Sequence, residues 1–237
     1  MDDQAGSPEL FLFLASTAHD MKNSISVLNG TLENLLVNAD QSDASHPAYP
    51  PLAQMLYQTR RLNDNLMQLL ALYKEVGKPS YPFDPRPQQI AELVQQVTSQ
   101  AKVLLAWKQI TLQVDFPPEL IWCLDEDLVI GILAHAINNA VRYTKDTIRI
   151  AIREDDGYLE ARVDDNGDGF PPALIEAGVS AMSGSTGGVN FLTNSSGLGL
   201  YFASEVAKMH KHRQRGGSIR LENGGTLGGG CFVLRLP

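Results

Sequence analysis

Apolar residues recur through the first third of the chain at alternating steps of four and three. They are Leu14, Ala18, Met21, Ile25, Leu28, Leu32 and Leu35, then, after a break, Leu52, Met55, Thr59, Leu62, Leu66, Leu69, Tyr73 and Val76. Such spacing marks the seam of a coiled coil or helical bundle rather than one face of a lone helix. It predicts a first helix from Ser7-Pro8, a capping residue followed by a proline at the first helical position, to about Val37. A second helix is expected to carry the seam from Leu52 to Val76, with the polar, proline-containing stretch from Asn38 to Pro51 as a hairpin loop. One hairpin buries only part of so long a stripe, so two hairpins from two copies are expected to complete a four-helix bundle. The alternative is a hairpin packed on its own second domain.

The pattern changes after Gly77–Pro87, GKPSYPFDPRP, whose four prolines can neither continue a helix nor enter a central strand. Two domains are expected, 1–80 and 88–237. In the second, periodicity predicts a helix over 88–106, strands over 110–116 and 120–124, a helix over 125–143, and strands over 147–153 and 158–164. A short helix after Pro171, a Gly/Ser/Thr-rich lid over 178–194, a helix over 197–209 and a hairpin (218–222 with 231–236, turning at Asn223-Gly224-Gly225) complete it. Helices and strands in this order suggest α+β architecture overall: a helical hairpin followed by an α/β sandwich with helices on one face of a mostly antiparallel sheet.

Composition narrows the functional classes. With 19 basic against 27 acidic residues and a formal net charge of -8, the chain lacks the cationic surplus of a general nucleic-acid binder. Cys123 and Cys231 are far apart and outside any CxxC spacing, which argues against a disulfide framework or thiolate metal site and fits a reducing cytoplasm. The acidic start, and the charged residues His19, Asp20 and Lys22 soon after the apolar run from Leu10, fit neither a signal peptide nor a membrane span. The basic segment 208–215, KMHKHRQR, is expected to complement a helix C-terminus rather than to dock a partner.

Candidate chemistry lies at four places. His19 follows the seam position Ala18, beside the packed stripe and open to a reagent from outside. On the helix ending at Tyr143, Val129, Leu133, Ala136 and Ala140 form a buried stripe, while His135, Asn139 and Arg142 share another face at steps of four and three. An asparagine carbonyl suits Mg²⁺ held mainly by phosphates and water. At the end of a strand, DNGDGF places Asp165 where a carboxylate can accept from an exocyclic amine, and Gly167 and Gly169 let backbone approach a flat ring. Ser196, Gly197, Leu198, Gly199 and Leu200 open a helix, whose free N–H groups and dipole favour phosphate.

Together, HDMKNSI, INNAVRYT, DNGDGF and SSGLGL resemble, in order, the motifs of the sensor histidine kinase family, whose catalytic domain shares an ATP-binding sandwich with gyrase-type ATPases. The resemblance implies His19 as phosphoacceptor, Asp20 as the acid that assists it, and Asn23 at the position used for phosphatase chemistry. It also implies Asn139 as Mg²⁺ ligand, Arg142 and Tyr143 as nucleotide contacts, Asp165 as the adenine-reading acid, and SSGLGL as the triphosphate-holding box. Ser24 stands where many members carry proline, His135 replaces the first asparagine of its box, Ser195 replaces a glycine, and Phe191 is the sole aromatic of the lid.

The expectation is a cytoplasmic homodimer that binds ATP with Mg²⁺, phosphorylates His19 and passes the phosphoryl group to a response-regulator aspartate. A regulator phosphatase activity is a possible second role. An upstream sensor protein or region would supply the signal. A dimeric interaction hub without kinase activity is the alternative, and a gyrase-like ATPase leaves the His19 helix unused.

Overall fold

A computed structural model of the chain describes residues 83–177 and 198–237 and, in the N-terminal part, residues 21, 24, 25, 27–32, 34, 35, 51, 52, 54–59 and 62. His19, Asp20, Asn23, the lid over 178–194, Ser196 and Gly197 lie outside the described residues. The chain divides into two compact units, Met1–Tyr81 and Pro82–Pro237.

In the first unit every described residue is helical from 21 to 35 and from 51 to 62. Leu32 and Leu56 are buried, whereas Met21, Leu28, Leu35, Met55 and Leu62 are 47% to 58% exposed. Leu56, one residue past the expected seam position Met55, is thus a buried position of the second helix. Thr59 needs no partner across the seam, because its hydroxyl donates to the Met55 carbonyl of its own helix (2.5 Å).

The second unit contains β1 (Arg86–Gln89), α1 (Ile90–Trp107), β2 (Thr111–Asp115), β3 (Ile121–Leu124), α2 (Glu126–Tyr143), β4 (Thr147–Asp155) and β5 (Tyr158–Asp165). It continues with α3 (Pro172–Ala177), α4 (Leu198–Met209), β6 (Lys211–His212), β7 (Arg215–Gly216), β8 (Ser218–Asn223) and β9 (Gly230–Leu236). Five strands form one sheet in the order β2-β4-β5-β9-β8, with only the β2–β4 pair parallel. Strand alternation sends Ile148, Ile150, Ile152, Leu159, Ala161, Val163, Phe232, Leu234 and Leu236 to one face. There they meet the apolar stripes of α2 and α4, with α1 packed on α2, giving the α/β sandwich expected from the order of elements.

The other face is a grid of charges. Glu160, only 2% exposed, lies 2.8 Å from Arg153 and 3.5 to 3.6 Å from Arg162, Arg220 and Arg235. Four guanidinium groups offset the desolvation of one buried carboxylate. Tyr158 carries Arg215 and Arg235 against its ring at 5.3 and 4.6 Å.

Three local expectations change. Gln88 and Gln89 belong to β1, which pairs with β3, so α1 begins two residues later than expected. Pro87 is tolerated there because both strands of a two-stranded ribbon are edges. The β8–β9 connection is longer than a tight turn, closing through Gly224 N–H to the Gly229 carbonyl (2.8 Å). Within the basic segment, Lys208 stands in the last turn of α4 as expected and pairs with Glu205, but His210 is buried and 211–216 form a small hairpin.

Candidate functional site

The site is built on α2. Asp125 starts the helix by accepting the Leu128 N–H at Oδ1 (3.1 Å), and Glu126 and Asp127 complement the dipole in the first turn. Leu128, Val129, Ile132, Leu133, Ala136, Ile137, Ala140 and Val141 are buried. That stripe turns His135, Asn139 and Arg142 onto a separate, partly exposed face, as the spacing predicts.

His135 and Asn139 are joined: Asn139 Nδ2 donates to His135 Nε2 over 3.0 Å. In this arrangement the amide nitrogen is the donor and Nε2 the acceptor. Burial pushes the His135 pKa down to about 4, which keeps the ring neutral at neutral pH. A Cβ at Gly199 would overlap this ring, so the first turn of α4 is seated on α2 through a residue that must lack a side chain. Leu200 and Tyr201 follow it into the core.

At the C-terminal end of α2, the Arg142 guanidinium lies 5.2 Å from the centroid of the half-exposed Tyr143 ring. Lys108 Nζ donates to the Val141 carbonyl (3.1 Å), and burial, then the nearby Arg142 charge, lowers its pKa. Two cations thus stand at the negative end of the helix dipole.

Asp165 ends β5 and is 7% exposed. Its Oδ1 accepts the N–H of Gly167 (2.7 Å) and of Gly230 (3.2 Å). A Cβ at Gly167 would overlap the Tyr143 carbonyl, and one at Gly229 would lie 2.6 Å from both Asp165 Oδ1 and Gly167 N. Glycine is therefore required on both sides of the carboxylate. Asn166 ties this turn to the segment after α2: its Oδ1 accepts from Thr144 Oγ1 (2.7 Å) and from the N–H groups of Lys145, Asp146 and Thr147 (3.1 to 3.2 Å). Asn223 accepts from Phe170 N and donates to its carbonyl (2.7 and 2.9 Å), beside Gly169 at φ +82°.

The expected residues His135, Asn139, Arg142 and Tyr143 thus fall on α2, Asp165, Gly167 and Gly169 at the end of β5 and in the turn after it, and Gly199 and Leu200 in the first turn of α4, which Leu198 opens. His135 to Tyr143 spans about 12 Å along the helix, a length that suits a nucleoside triphosphate. The residues fit such a ligand bound with Mg²⁺: Asp165 and its glycine walls offer a flat, acceptor-bearing cradle at one end. At the other end a neutral amide oxygen stands beside a helix N-terminus. Among the described residues no cluster of three or more His, Cys, Asp or Glu could hold a metal alone. Sequence reading did not single out Gly229, Gly230, Asn166 or Lys108, and it named Asn223 only as a turn residue. The run Gly228-Gly229-Gly230 was the available signal for the first two.

Residues 124–237 match the family described as histidine kinase-, DNA gyrase B-, and HSP90-like ATPase. The sensor-like histidine kinase SenX3 of Mycolicibacterium smegmatis is 27% identical over 228 residues, 95% of this chain and 56% of that protein. The chain spans about half the length of the curated relatives it matches. The solved catalytic domain of histidine kinase ThkA shares the fold, with a TM-score of 0.52 and 19% identity over 65% of this chain and 95% of that one. Full-length ShkA in complex with AMPPNP has a TM-score of 0.56 and 22% identity, covering 98% of this chain and 46% of that one. Residues 124–237 thus carry the fold and the family match of a histidine kinase-, DNA gyrase B-, and HSP90-like ATPase, and over nearly its whole length the chain is similar to sensor histidine kinases.

Proposed function

We propose that this chain is the catalytic core of an ATP-dependent protein-histidine kinase that phosphorylates His19 and passes the group to an aspartate of a response-regulator receiver domain. One observation carries the reading: Asn139, Asp165 and the start of α4 are fixed around a single helix, by the His135–Gly199 contact at one end and the Gly167–Tyr143 contact at the other. Asp165 would accept from the adenine amine, while Arg142 and Tyr143 would border the nucleotide. The α4 start, with Ser196 and Gly197, would meet the phosphates. Mg²⁺, when bound through Asn139, would neutralise phosphate charge.

In the transfer itself a nitrogen lone pair of neutral His19 forms the N–P bond as the bond from the γ-phosphorus to the β,γ-bridging oxygen breaks and ADP leaves. The proton on the imidazole passes to Asp20. Asn23 would orient water for dephosphorylation of the regulator. A second copy would supply the other half of a four-helix bundle, and the half-exposed rows Met21, Leu28, Leu35 and Met55, Leu62, each spaced by seven, support this. The cytoplasm is the proposed compartment; among the described residues no helix is long and apolar enough to cross a membrane.

The test is incubation of the full chain with γ-labelled ATP and Mg²⁺. Acid-labile phosphate should accumulate on the parent and be absent from His19→Gln; label on His19→Gln would remove the acceptor assignment. Asn23→Ala should keep self-phosphorylation and slow phosphate loss from the regulator. Sedimentation of Leu28→Lys should show a monomer where the parent is a dimer.

A further inference from the structure

Phe170 ends the turn that carries Asp165, and its main chain is held from outside that turn. Asn223, the last residue of β8, accepts the Phe170 N–H at Oδ1 (2.7 Å) and donates from Nδ2 to the Phe170 carbonyl (2.9 Å). A main-chain N–H can only donate and a carbonyl can only accept, so this amide has a single orientation. Gly169 completes the clamp: it leads into Phe170 at φ +82°, and a Cβ there would lie 2.6 Å from Asn223 Oδ1.

Asn223 also stands where the sheet opens. It is paired with Gly230 in the final rung of β8 and β9, and the loop between them closes through the Gly224 N–H to the Gly229 carbonyl (2.8 Å). From that side Gly229 N–H reaches the Asp165 carbonyl (3.1 Å) and Gly230 N–H reaches Asp165 Oδ1 (3.2 Å). The second donor to Oδ1, Gly167 N–H (2.7 Å), belongs to the turn. Oδ1 is thus shared between the two segments that Asn223 ties together, and the carboxylate cannot leave its plane without losing a bond to one of them. Among the described residues Oδ2 receives no hydrogen bond, which leaves it as the acceptor on offer. A Cβ at Gly230 would lie 3.0 Å from this oxygen and 3.1 Å from Phe170 Cε2, so the clamped residue and the free oxygen border the same glycine.

We propose that Asn223 is a positioning residue for base selection: it holds the Asp165–Phe170 turn on the end of β8 and β9 and thereby fixes the plane in which Asp165 Oδ2 meets a purine edge. This rests on the adenine reading of Asp165 above. A 6-amino group donates to a fixed carboxylate oxygen, whereas a 6-oxo group, as in guanine, brings one acceptor against another at the same place. A carboxylate free to turn discriminates less. The role assigns Asn223 no contact with the nucleotide.

The experiment measures AMPPNP, GMPPNP and inorganic tripolyphosphate affinities by calorimetry, with Mg²⁺, for the full-length parent chain, Asn223→Ala and Asn223→Asp. Loss of fixation worth one hydrogen bond corresponds to a roughly 10-fold fall in the preference of Asn223→Ala for AMPPNP over GMPPNP. Tripolyphosphate affinity should stay unchanged, and Asn223→Asp, which keeps the acceptor for the Phe170 N–H, should recover part of the preference. Parent-like preference in Asn223→Ala, or equal losses for all three ligands, would overturn the proposal. A readout that needs no variant to fold is hydrogen exchange of the Phe170 amide in the parent. AMPPNP should slow it more than tripolyphosphate does, because a ligand that uses Oδ2 and the clamp that fixes it stabilise each other; equal slowing overturns the proposal as well. If the parent itself shows no preference for AMPPNP over GMPPNP, the adenine reading falls and takes this one with it.

Discussion

The backbone N–H of Asp125 donates to Nε2 of His210 over 3.1 Å, joining the N-cap of α2 to the residue after α4. His210 Nδ1 donates to the Val206 carbonyl (2.9 Å), and Phe83 meets the ring edge-on with centroids 4.9 Å apart. Asp84 N–H donates to the second oxygen of Asp125 (3.0 Å). One buried imidazole thus gathers the entry of the catalytic unit and two of its helices.

Burial lowers the His210 pKa, opposed in part by the Val206 bond and the Asp125 charge. A depressed folded value means that the stability held by the neutral ring is complete above its unfolded pKa of about 6.5 and is lost as pH falls through the folded value. The melting temperature should therefore fall below about pH 6.5, and fall less steeply in His210→Gln. His135 acts with the same sign and is common to both proteins. Equal slopes would exclude His210 as a contributing group.

Two glycines on adjacent helices should respond in opposite directions. At Gly131 of α2 an added Cβ meets only Phe202 at 3.9 Å, ordinary contact, so Gly131→Ala should raise stability by about 0.5–1 kcal/mol through helix propensity. At Gly199 the same methyl overlaps the His135 ring, so Gly199→Ala should lower stability and weaken nucleotide binding together. Calorimetric melting and AMPPNP titration of both variants give the comparison; a stabilised Gly199→Ala would refute the contact.

Asn166 and Asp165 are neighbours with separable roles. Asn166→Ala removes an acceptor shared by four donors, and the expected stability loss is about 2 kcal/mol in chemical denaturation. Asp165→Asn keeps size and should keep most stability, but it exchanges an acceptor for a donor facing the proposed adenine amine, so AMPPNP affinity should fall by roughly 10-fold or more. The reverse ranking of the two effects would mean that Asp165 serves the fold and not the ligand.

The architecture was readable where periodicity carried it. The stripe through Val129, Leu133, Ala136 and Ala140 placed Asn139 off the buried side of α2, and alternation over Ile148–Ile152 and Leu159–Val163 identified the central strands. What escaped depends on contacts between segments distant in the chain. Nothing local distinguishes Asn166 from any other turn asparagine, and Gly228-Gly229-Gly230 reads as a flexible turn until Asp165 is seen packed against it. β1 was hidden because its partner β3 lies more than thirty residues away and its own residues, RPQQ, have no strand preference. Leu56 lies off the expected seam and yet is buried, a position the spacing of four and three did not mark.

Asp164 and Asp165 are consecutive, yet strand alternation sends them to opposite faces of the sheet. Asp165 turns toward α2, while Asp164, fully buried, lies 4.0 Å from Arg149 among the charges of the other face. One loop touches both: Gly225 covers the Asp164 carboxylate, and Gly229 covers that of Asp165. Which of the two acids faces α2 is therefore a matter of parity, odd or even, counted along β5. A single inserted or deleted residue between Tyr158 and Val163 would exchange the two carboxylates without altering the composition of the turn, and a glycine would still cover each of them. The acid presented toward α2 is set by a count of residues upstream as much as by the motif that displays it.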